Sequence, residues 1–372
     1  MEEQIVKKRP LWQKLLIAAG IIILIIALVI ISGKVFEKKE NNGQAGWSNK
    51  DCESNPNPLF TAEFTDLGKI DVLNPIGSIN AGSPGRAYIH IKGEQGQPSQ
   101  KVPIYAPVDA TLEGIVYARR NQSDPNSRGE YRLDFRVSCE VIFSFDHISD
   151  IKDDLKMLVP TEPDSRTNEA TKVSVKIKAG EVLGETDGAM RNGSWDFYLL
   201  NYSKEVYHIS PERWTWDQTK YAYCPYDYFT PDLKQKYYDK LKAVGGETLP
   251  ENPSGVGAGK CGSPSHDVLG TASGGWFQDD STSSKGLWLE IADATKKVEL
   301  IVRNSGNHDF KVRDYQPEIM PDKLTVGNSA CYSEENRWAY IRVDSNEQLS
   351  FVKGEGSCPS SFPTSNFEQW QR

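Results

Sequence analysis

An uninterrupted apolar run near the amino terminus constrains this chain more than any other feature. Every residue in 15–31 is apolar or glycine, and the next two residues extend the run without adding charge. The hydrocarbon core of a bilayer requires about 20 such residues, with a range of about 17–25. The run therefore predicts a transmembrane helix over residues 15–33, preceded by a cytoplasmic segment, 1–14.

A cleavable signal peptide is the alternative interpretation of this run. Its apolar core would be shorter, about 7–15 residues, and would end in a small-x-small cleavage site. Here the sequence continues with Lys34-Val35-Phe36-Glu37, so we favour an uncleaved anchor. Four basic residues precede the run and three follow it closely, which slightly favours a cytoplasmic amino terminus. We thus expect a single-pass membrane protein whose bulk is extracytoplasmic.

All of the cysteines follow the apolar run. They are Cys52, Cys139, Cys224, Cys261, Cys331 and Cys358. An even number on one side of a membrane is typical of disulfides in an oxidising compartment, although buried free thiols are the alternative. The sequence contains no C-x-x-C pair, which disfavours a thiolate zinc site. Among the possible pairings we predict Cys331–Cys358 and Cys139–Cys224.

The charge balance disfavours a nucleic-acid partner. Lys and Arg number 43 against 51 Asp and Glu, which gives a net charge of -8. Recognition of nucleic acid requires a basic footprint, and this composition supplies none.

Changes in composition divide the rest of the chain. Residues 34–58 are polar and rich in Asn, Gly, Lys and Glu, which predicts a flexible stalk. Short alternating runs typical of strands fill 59–248, together with one helix predicted at 231–244. Thr230-Pro231-Asp232 supplies that helix with a cap residue, a proline at its first position and an acid in its first turn.

A second region begins after a segment rich in Gly, Pro and Ser. That segment, 249–265, predicts a linker. Short strands then succeed one another over 266–358, which predicts a small β-sandwich-like or barrel domain at the carboxy terminus, followed by a tail, 359–372. Four strand aromatics there (Trp276, Trp288, Trp338 and Tyr340) could stack on sugars, although such residues more often lie in the core. The chain as a whole is expected to be mainly β.

An ordered series of motifs lies between residues 101 and 201. The segments are Val102-Pro103-Ile104-Tyr105-Ala106-Pro107, Phe145-Asp146-His147-Ile148-Ser149, Val175-Lys176-Ile177-Lys178-Ala179-Gly180-Glu181-Val182-Leu183-Gly184 and Trp195-Asp196-Phe197. In order and spacing they resemble the lysostaphin/LytM-type zinc endopeptidases of bacterial cell-wall metabolism and their degenerate relatives. The resemblance covers about a quarter of the chain. It implies an antiparallel β-sandwich or barrel of the duplicated hybrid motif type.

The zinc chemistry of that family is poorly represented in this sequence. The family binds zinc through a His, an Asp and a second His, in H-x-x-x-D and H-x-H motifs. In this sequence the nearest candidates for the H-x-x-x-D motif are Arg86 and His90. In the H-x-H motif, Ser194 and Asp196 stand in place of the two histidines. His147 alone falls on a family histidine and is the candidate catalytic residue. Carboxylate oxygen is an acceptable zinc ligand, so His90, His147 and Asp196 form a candidate metal triad.

Two functional hypotheses follow from this pattern. We expect a catalytically degenerate, membrane-anchored protein without a cofactor, in which Arg86 and Trp195 are candidate binding residues. Its ligand would be cell-wall glycan or peptide, or another envelope protein. The alternative is an active zinc metallopeptidase that acts on peptidoglycan with altered ligands.

Overall fold

The computed structural model describes most of the chain after the apolar run. The described residues are 52–79, 84–93, 100–119, 127–164, 169–189, 193–242, 261–294, 297–305 and 307–372. The predicted transmembrane helix and the start of the predicted stalk lie outside them. Among the described helices, none is long and apolar enough to cross a membrane. The described residues belong to one compact unit, 50–372.

Two antiparallel sheets make up the first half of this unit. The strands are β1 (Ile70–Leu73), β2 (Arg86–Ile91), β3 (Val102–Tyr105), β4 (Ala110–Arg119), β5 (Gly129–Arg136), β6 (Val141–Ile148), β7 (Asp150–Ile151), β8 (Thr171–Ile177), β9 (Val182–Thr186), β10 (Ser194–Asn201) and β11 (Ala222–Tyr223). The larger sheet, hereafter the first sheet, has the order β1-β2-β10-β6-β5-β4-β8, and β11 also pairs with β10. The smaller sheet has the order β3-β9-β7.

Alternation along the strands divides the first sheet into an apolar and a polar face. On β10, Trp195, Phe197 and Leu199 are fully buried in one core that also contains residues of the smaller sheet. Successive side chains of a strand point to opposite faces, so Ser194, Asp196 and Tyr198 lie on the other face. Large apolar residues therefore hold the two sheets together, and the polar residues of β10 lie on the opposite face of the first sheet.

The α-helices among the described residues are short and few. They are α1 (Asp153–Lys156), α2 (Asp217–Lys220) and α3 (Pro231–Tyr238). Helix α3 begins after Thr230, where the sequence predicted it, but ends well before the predicted end at 244. Leu241 instead forms a parallel bridge with Leu73 of β1, and this pairing takes the chain out of the helix.

The carboxy-terminal half forms a single sheet that curls into a nearly closed barrel. Its strands are β12 (Gly274–Phe277), β13 (Leu287–Ala294), β14 (Lys297–Asn304), β15 (Asn307–Asp314), β16 (Ser329–Glu334), β17 (Arg337–Val343), β18 (Gln348–Glu355) and β19 (Glu368–Gln371). The order is β15-β14-β13-β12-β19-β18-β17-β16. The two end strands are joined by side chains, since Glu334 Oε2 accepts from Arg313 N at 3.0 Å and Asp314 Oδ2 from Ser333 N at 3.1 Å.

The expectation of a mainly β, antiparallel fold is confirmed. Of the two architectures expected for the carboxy-terminal region, the structure has the barrel rather than the sandwich, because the strands share a single continuous hydrogen-bonded order. The segment predicted as a tail contains β19, which inserts between β12 and β18. The four aromatics considered for sugar stacking are all buried, with at most 9% exposure, so they serve the packing.

Three disulfides are formed, and they use every cysteine. The pairing Cys331–Cys358 is confirmed. The predicted pair Cys139–Cys224 is wrong, because Cys139 bonds to Cys52 and Cys224 bonds to Cys261.

The last part of the predicted stalk is attached to the first sheet. Cys52 is bonded to Cys139 in the turn between β5 and β6. Cys139 N donates to the carbonyl of Glu53 at 3.0 Å, and Asn55 N donates to Glu140 Oε2 at 2.9 Å. Residues 52–58 are therefore held against that turn rather than extended away from the domain.

Candidate functional site

Charged side chains meet on the outer face of the first sheet, where β2, β10 and β6 are neighbours. Asp196 of β10 lies directly opposite Asp146 of β6 and Tyr88 of β2. Arg86 lies on the same face of β2, one diagonal step from Asp196, within reach of a long side chain. We call Arg86, Glu130, Asp146, His147 and Asp196 the charged cluster.

Arg86 joins the two aspartates of the charged cluster. Its Nη1 donates to Asp196 Oδ2 at 2.5 Å and to Asp146 Oδ2 at 2.9 Å. Both carboxylates are 4% exposed, whereas the arginine side chain is 21% exposed. The guanidinium therefore caps two carboxylates that are shielded from water.

The pKa values of Arg86 and Asp196 are shifted by burial and by the charges around them. Burial alone would lower the pKa of Arg86, but the charges of Asp196 and Asp146 outweigh it and raise that pKa above its ordinary value. Burial raises the pKa of Asp196, and the nearby charges of Arg86 and His147 oppose this increase. Arg86 is thus permanently cationic, and its charge is what makes burial of the carboxylates tolerable.

His147 enters the charged cluster through a distortion of β6. Its φ is 64°, in the left-handed region that residues with a Cβ seldom adopt. The ladder between β5 and β6 also changes register here, so two residues of β6 face one residue of β5, as in a β-bulge. His147 N donates to Asp146 Oδ1 at 2.9 Å, which stabilises the bend.

The bend places the imidazole of His147 between two carboxylates. Nδ1 lies 2.8 Å from Glu130 Oε2, and Nε2 lies 3.7 Å from Asp196 Oδ2. A carboxylate accepts hydrogen bonds, so the first contact requires the proton on Nδ1. The ring is therefore fixed in orientation, with Nε2 directed toward Asp196. Strain of this kind is typical of functional sites.

His90 lies on the same face of β2 but outside this group. Its Nε2 donates to Asn74 Oδ1 at 2.7 Å, and Asn74 Nδ2 in turn donates to the carbonyl of Lys242 at 2.9 Å. Burial lowers the pKa of His90, while Asp71 and Asp196 oppose that shift. The imidazole is thus used to fasten β1, β2 and the segment after α3.

A second arginine–aspartate pair extends the polar face. Arg132 Nε lies 3.0 Å from Asp134 Oδ1, and Arg132 Nη2 lies 3.2 Å from Asp134 Oδ2, which is a two-pronged contact. Ser144 Oγ donates to the same carboxylate at 2.7 Å. Arg132 is 17% exposed and Asp134 only 6%, so the guanidinium again lies above the carboxylate.

The candidate zinc triad is only partly brought together. Asp146, His147 and Asp196 are the described residues whose potential ligand atoms lie within 4.8 Å of one another, and His90 is not among them. Arg86 Nη1 already contacts the Oδ2 atoms of both aspartates. A zinc ion bonded to those oxygens at about 2.0–2.2 Å would face the guanidinium at repulsive range. With Arg86 in this position, the residues present do not fit a zinc site.

The other candidate binding residue occupies a different environment. Trp195 has no exposed surface, and its ring packs against Phe145 and Phe64 at 5.6 and 5.7 Å between centroids. Odd-numbered residues of β10 face the core, so Trp195 cannot reach a ligand on the outer face.

Asp146 and Glu130 are the residues of the charged cluster that the sequence did not single out. Asp146 shares the outward alternation of Ser144 on β6, and that pattern could have indicated it. Glu130 could not be found in this way, because its contact with His147 depends on the bulge.

Comparisons with known proteins give a limited result. The chain is similar to lysostaphin as solved in solution by NMR, with a TM-score of 0.26 and 12% sequence identity. The match covers 68% of this chain and 90% of that chain. No protein-family model matches the sequence, and neither does any curated protein.

Proposed function

We propose that this protein is a binding module of the cell envelope, held outside the cytoplasm by its amino-terminal helix. It has the duplicated hybrid motif type of fold and is a catalytically degenerate relative of the lysostaphin/LytM-type endopeptidases. Its outer sheet face binds glycan or peptide of the envelope, or a partner protein. The observation that carries the proposal is the contact of Arg86 with both Asp146 and Asp196.

That contact supports binding rather than metal catalysis because the guanidinium supplies the positive charge between the carboxylates. Removing one partner of a buried ion pair costs about 3–5 kcal/mol, since the remaining charge is left uncompensated. Arg86 is therefore an integral part of the charged cluster. The carboxylate oxygens that a catalytic zinc would need are already engaged.

The exposed layer of this face supports recognition of a polar ligand. Arg86, Arg132 and His147 are each about one-fifth exposed, while the carboxylates beneath them are almost fully buried. Guanidinium groups present several donors in a fixed plane, which suits the hydroxyl and carbonyl oxygens of glycans and peptides. A ligand would thus meet donors already held in place by buried acceptors.

The disulfides support the proposed location. Three pairs that use every cysteine are typical of proteins that fold in oxidising compartments. Together with the apolar run at 15–33, they favour an anchored protein whose folded part lies outside the cytoplasm.

Binding assays on the purified full-length chain test the proposal. We expect sedimentation with purified peptidoglycan, or binding of its soluble fragments, that a chelator does not change. Substitution of Arg132→Gln should weaken this binding about tenfold, while Lys353→Gln on strand β18 of the barrel should leave it unchanged. Submicromolar, stoichiometric zinc binding together with cleavage of cross-linked wall peptides would refute the proposal.

One observation favours the alternative of an active zinc peptidase. The ligand atoms of Asp146, His147 and Asp196 are close enough to converge on an ion if Arg86 moved aside. That function requires His147→Ala and Asp196→Ala each to abolish both bound zinc and hydrolysis. If zinc is held by His90, His147 and Asp196, then His90→Ala should also abolish both bound zinc and hydrolysis.

A further inference from the structure

The outer side of the carboxy-terminal sheet packs against the first half of the molecule. Trp214 lies 5.5 Å from Phe277 and 5.4 Å from Trp288 between ring centroids, and Ile79 packs against Ala292 and Ile301. These residues face away from the interior of the barrel, because their neighbours in each strand line that interior. We call this contact between β12–β14 and the residues around 76–79 and 208–216 the seam.

The seam is closely packed and has its own hydrogen bonds. A Cβ added to Gly275 would lie 2.3 Å from the ring of Trp214, so the indole rests directly on the backbone of β12. Ser283 N donates to the carbonyl of Arg213 at 2.9 Å, and Ile209 N donates to Asp267 Oδ2 at 2.8 Å. Both hydrogen bonds join the two halves of the molecule, so protection of the two donor amides indicates that the halves are docked.

Glu290 is buried in this seam without a hydrogen-bond donor. It lies on β13 between Leu289 and Ile291, which face the barrel core, so alternation directs it to the seam. The residue is 1% exposed, and neither carboxylate oxygen has a hydrogen-bond partner in the described part of the chain. Buried polar groups almost always have partners, so this exception requires a physical explanation.

The nearest cation does not make an adequate partner. Arg303 Nε, on β14, lies 4.0 Å from Glu290 Oε2, beyond hydrogen-bond distance, and itself has no partner among the described residues. Its Nη2 donates instead to the carbonyl of Ile79 at 2.7 Å, and its guanidinium lies 5.1 Å from the centre of the Trp288 ring. The guanidinium is thus drawn away from the carboxylate by contacts across the seam.

The other charged groups near Glu290 are acidic or engaged elsewhere. Glu299 on β14 and Asp267 in the loop before β12 both disfavour a second negative charge. Asp267 accepts from two backbone amides and lies 3.6 Å from His208 Nδ1, with Arg372 nearby. His266 donates Nε2–H to a backbone carbonyl, and burial lowers its pKa to about 4, so it stays neutral.

We propose that Glu290 makes the seam a proton-sensitive joint between the two halves of the molecule. The uncharged carboxyl group is compatible with a site in which no donor of the described residues lies within hydrogen-bond distance of it, and it keeps the halves docked. Ionisation places a charge there that Arg303, 4.0 Å away, compensates only in part, and this loosens the docking. The joint contains no residue of the charged cluster, so it operates whatever the outer sheet face binds.

The direction of the response follows from linkage. Burial raises the pKa of Glu290 to about 7, Arg303 opposes this shift, and Asp267 and Glu299 add to it. The docked state therefore binds a proton that the open state releases. Docking is strongest below the ordinary glutamate pKa and is lost progressively as pH rises to about 7. Between pH 5 and pH 8 this linkage increases the open population roughly 70-fold.

Hydrogen exchange of the full-length protein at pH 5 and pH 8 tests the joint. After correction for intrinsic rates, the amides of Ile209 and Ser283 should lose roughly 70-fold protection at the higher pH. Glu290→Gln should remove this pH dependence, whereas Glu355→Gln, on the exposed side of β18, should retain it. Equal pH dependence in the wild type and Glu290→Gln, or none in the wild type, would overturn the proposal.

A second measurement keeps the test decisive if the variant does not fold. The infrared band of a protonated carboxyl group, shifted by ¹³C-labelling of glutamate only, should disappear in the wild-type protein with a midpoint near pH 7. A protein in which every glutamate titrates near its ordinary pKa would contradict the joint.

Discussion

In the charged cluster Asp146 and Asp196 are buried against Arg86, whereas in the seam Glu290 is buried out of hydrogen-bond reach of Arg303. Both sites remove carboxylates from water, and both therefore incur a desolvation cost. The charged cluster offsets that cost with a fixed cation 2.5–2.9 Å away. In the seam, protonation of Glu290 removes the charge and with it the desolvation cost. In the first arrangement the compensating charge belongs to Arg86, which stays cationic near neutrality, whereas the second depends on the protonation state of Glu290.

The largest expected effect comes from removing the fixed cation. Arg86→Met should leave two adjacent buried carboxylates uncompensated and lower the free energy of unfolding by about 3–5 kcal/mol at pH 7. Urea denaturation measures this, with Arg86→Lys as the matched control that retains a charge. A loss below about 1 kcal/mol would show that the charged cluster and the seam do not differ as described.

The corresponding change in the seam should have the opposite sign. Glu290→Gln removes a buried charge at pH 8 and should increase the free energy of unfolding there by about 3 kcal/mol, with little change at pH 4.5. Urea denaturation at both pH values tests this. If the variant were less stable at pH 8 than the wild type, Glu290 would have a partner that compensates its charge.

A smaller effect is expected at His90, which tests burial of a base rather than an acid. Burial lowers its pKa, so the folded state resists protonation, and stability is lost as pH falls below the ordinary histidine pKa of about 6.5. His90→Gln can still donate to Asn74 but cannot be protonated. The decrease in stability between pH 7.5 and pH 5 should therefore be smaller in the variant. An unchanged decrease would assign it to other groups.

The smallest effect is expected where an ion pair is left in water. Lys101 and Glu185 are in contact, but their side chains are 49% and 44% exposed. Lys101→Ala should change the free energy of unfolding by no more than about 0.5 kcal/mol, because solvent screens the pair. A larger loss would show that the distance between charges, rather than their burial, sets the effects on stability expected for the charged cluster and the seam.

The sequence predicted local secondary structure well, but it did not predict which distant residues meet in the charged cluster. The presence of short strands within 59–248 was predicted because alternation is a property of neighbouring residues. Asp196 and His147 are brought within 3.7 Å, but Arg86 fills the space between the carboxylates, and this depends on the register of β2 against β10. No local pattern encodes that register, since Arg86 and Asp196 are far apart in the chain.

The errors have similar causes. Cys52 lies in a segment whose composition predicts a flexible stalk, so its bond to Cys139 could not be inferred from the residues around it. Trp195 was a candidate binding residue, although the alternation that places Asp196 on the outer face of the sheet directs Trp195 into the core. The single curled sheet of the carboxy-terminal half depends on β19, which lies in a segment without a strong strand pattern.

The bond between Cys52 and Cys139 has a mechanical consequence. Tension applied to the chain before Cys52 passes through this covalent link to the turn between β5 and β6, two strands in the interior of the first sheet. The edge strand β1 follows Cys52 in the chain and would otherwise bear that load first. It could then be peeled off one hydrogen bond at a time. With the bond intact, the pull is applied to interior strands instead, and reduction of the bond should lower the unfolding force.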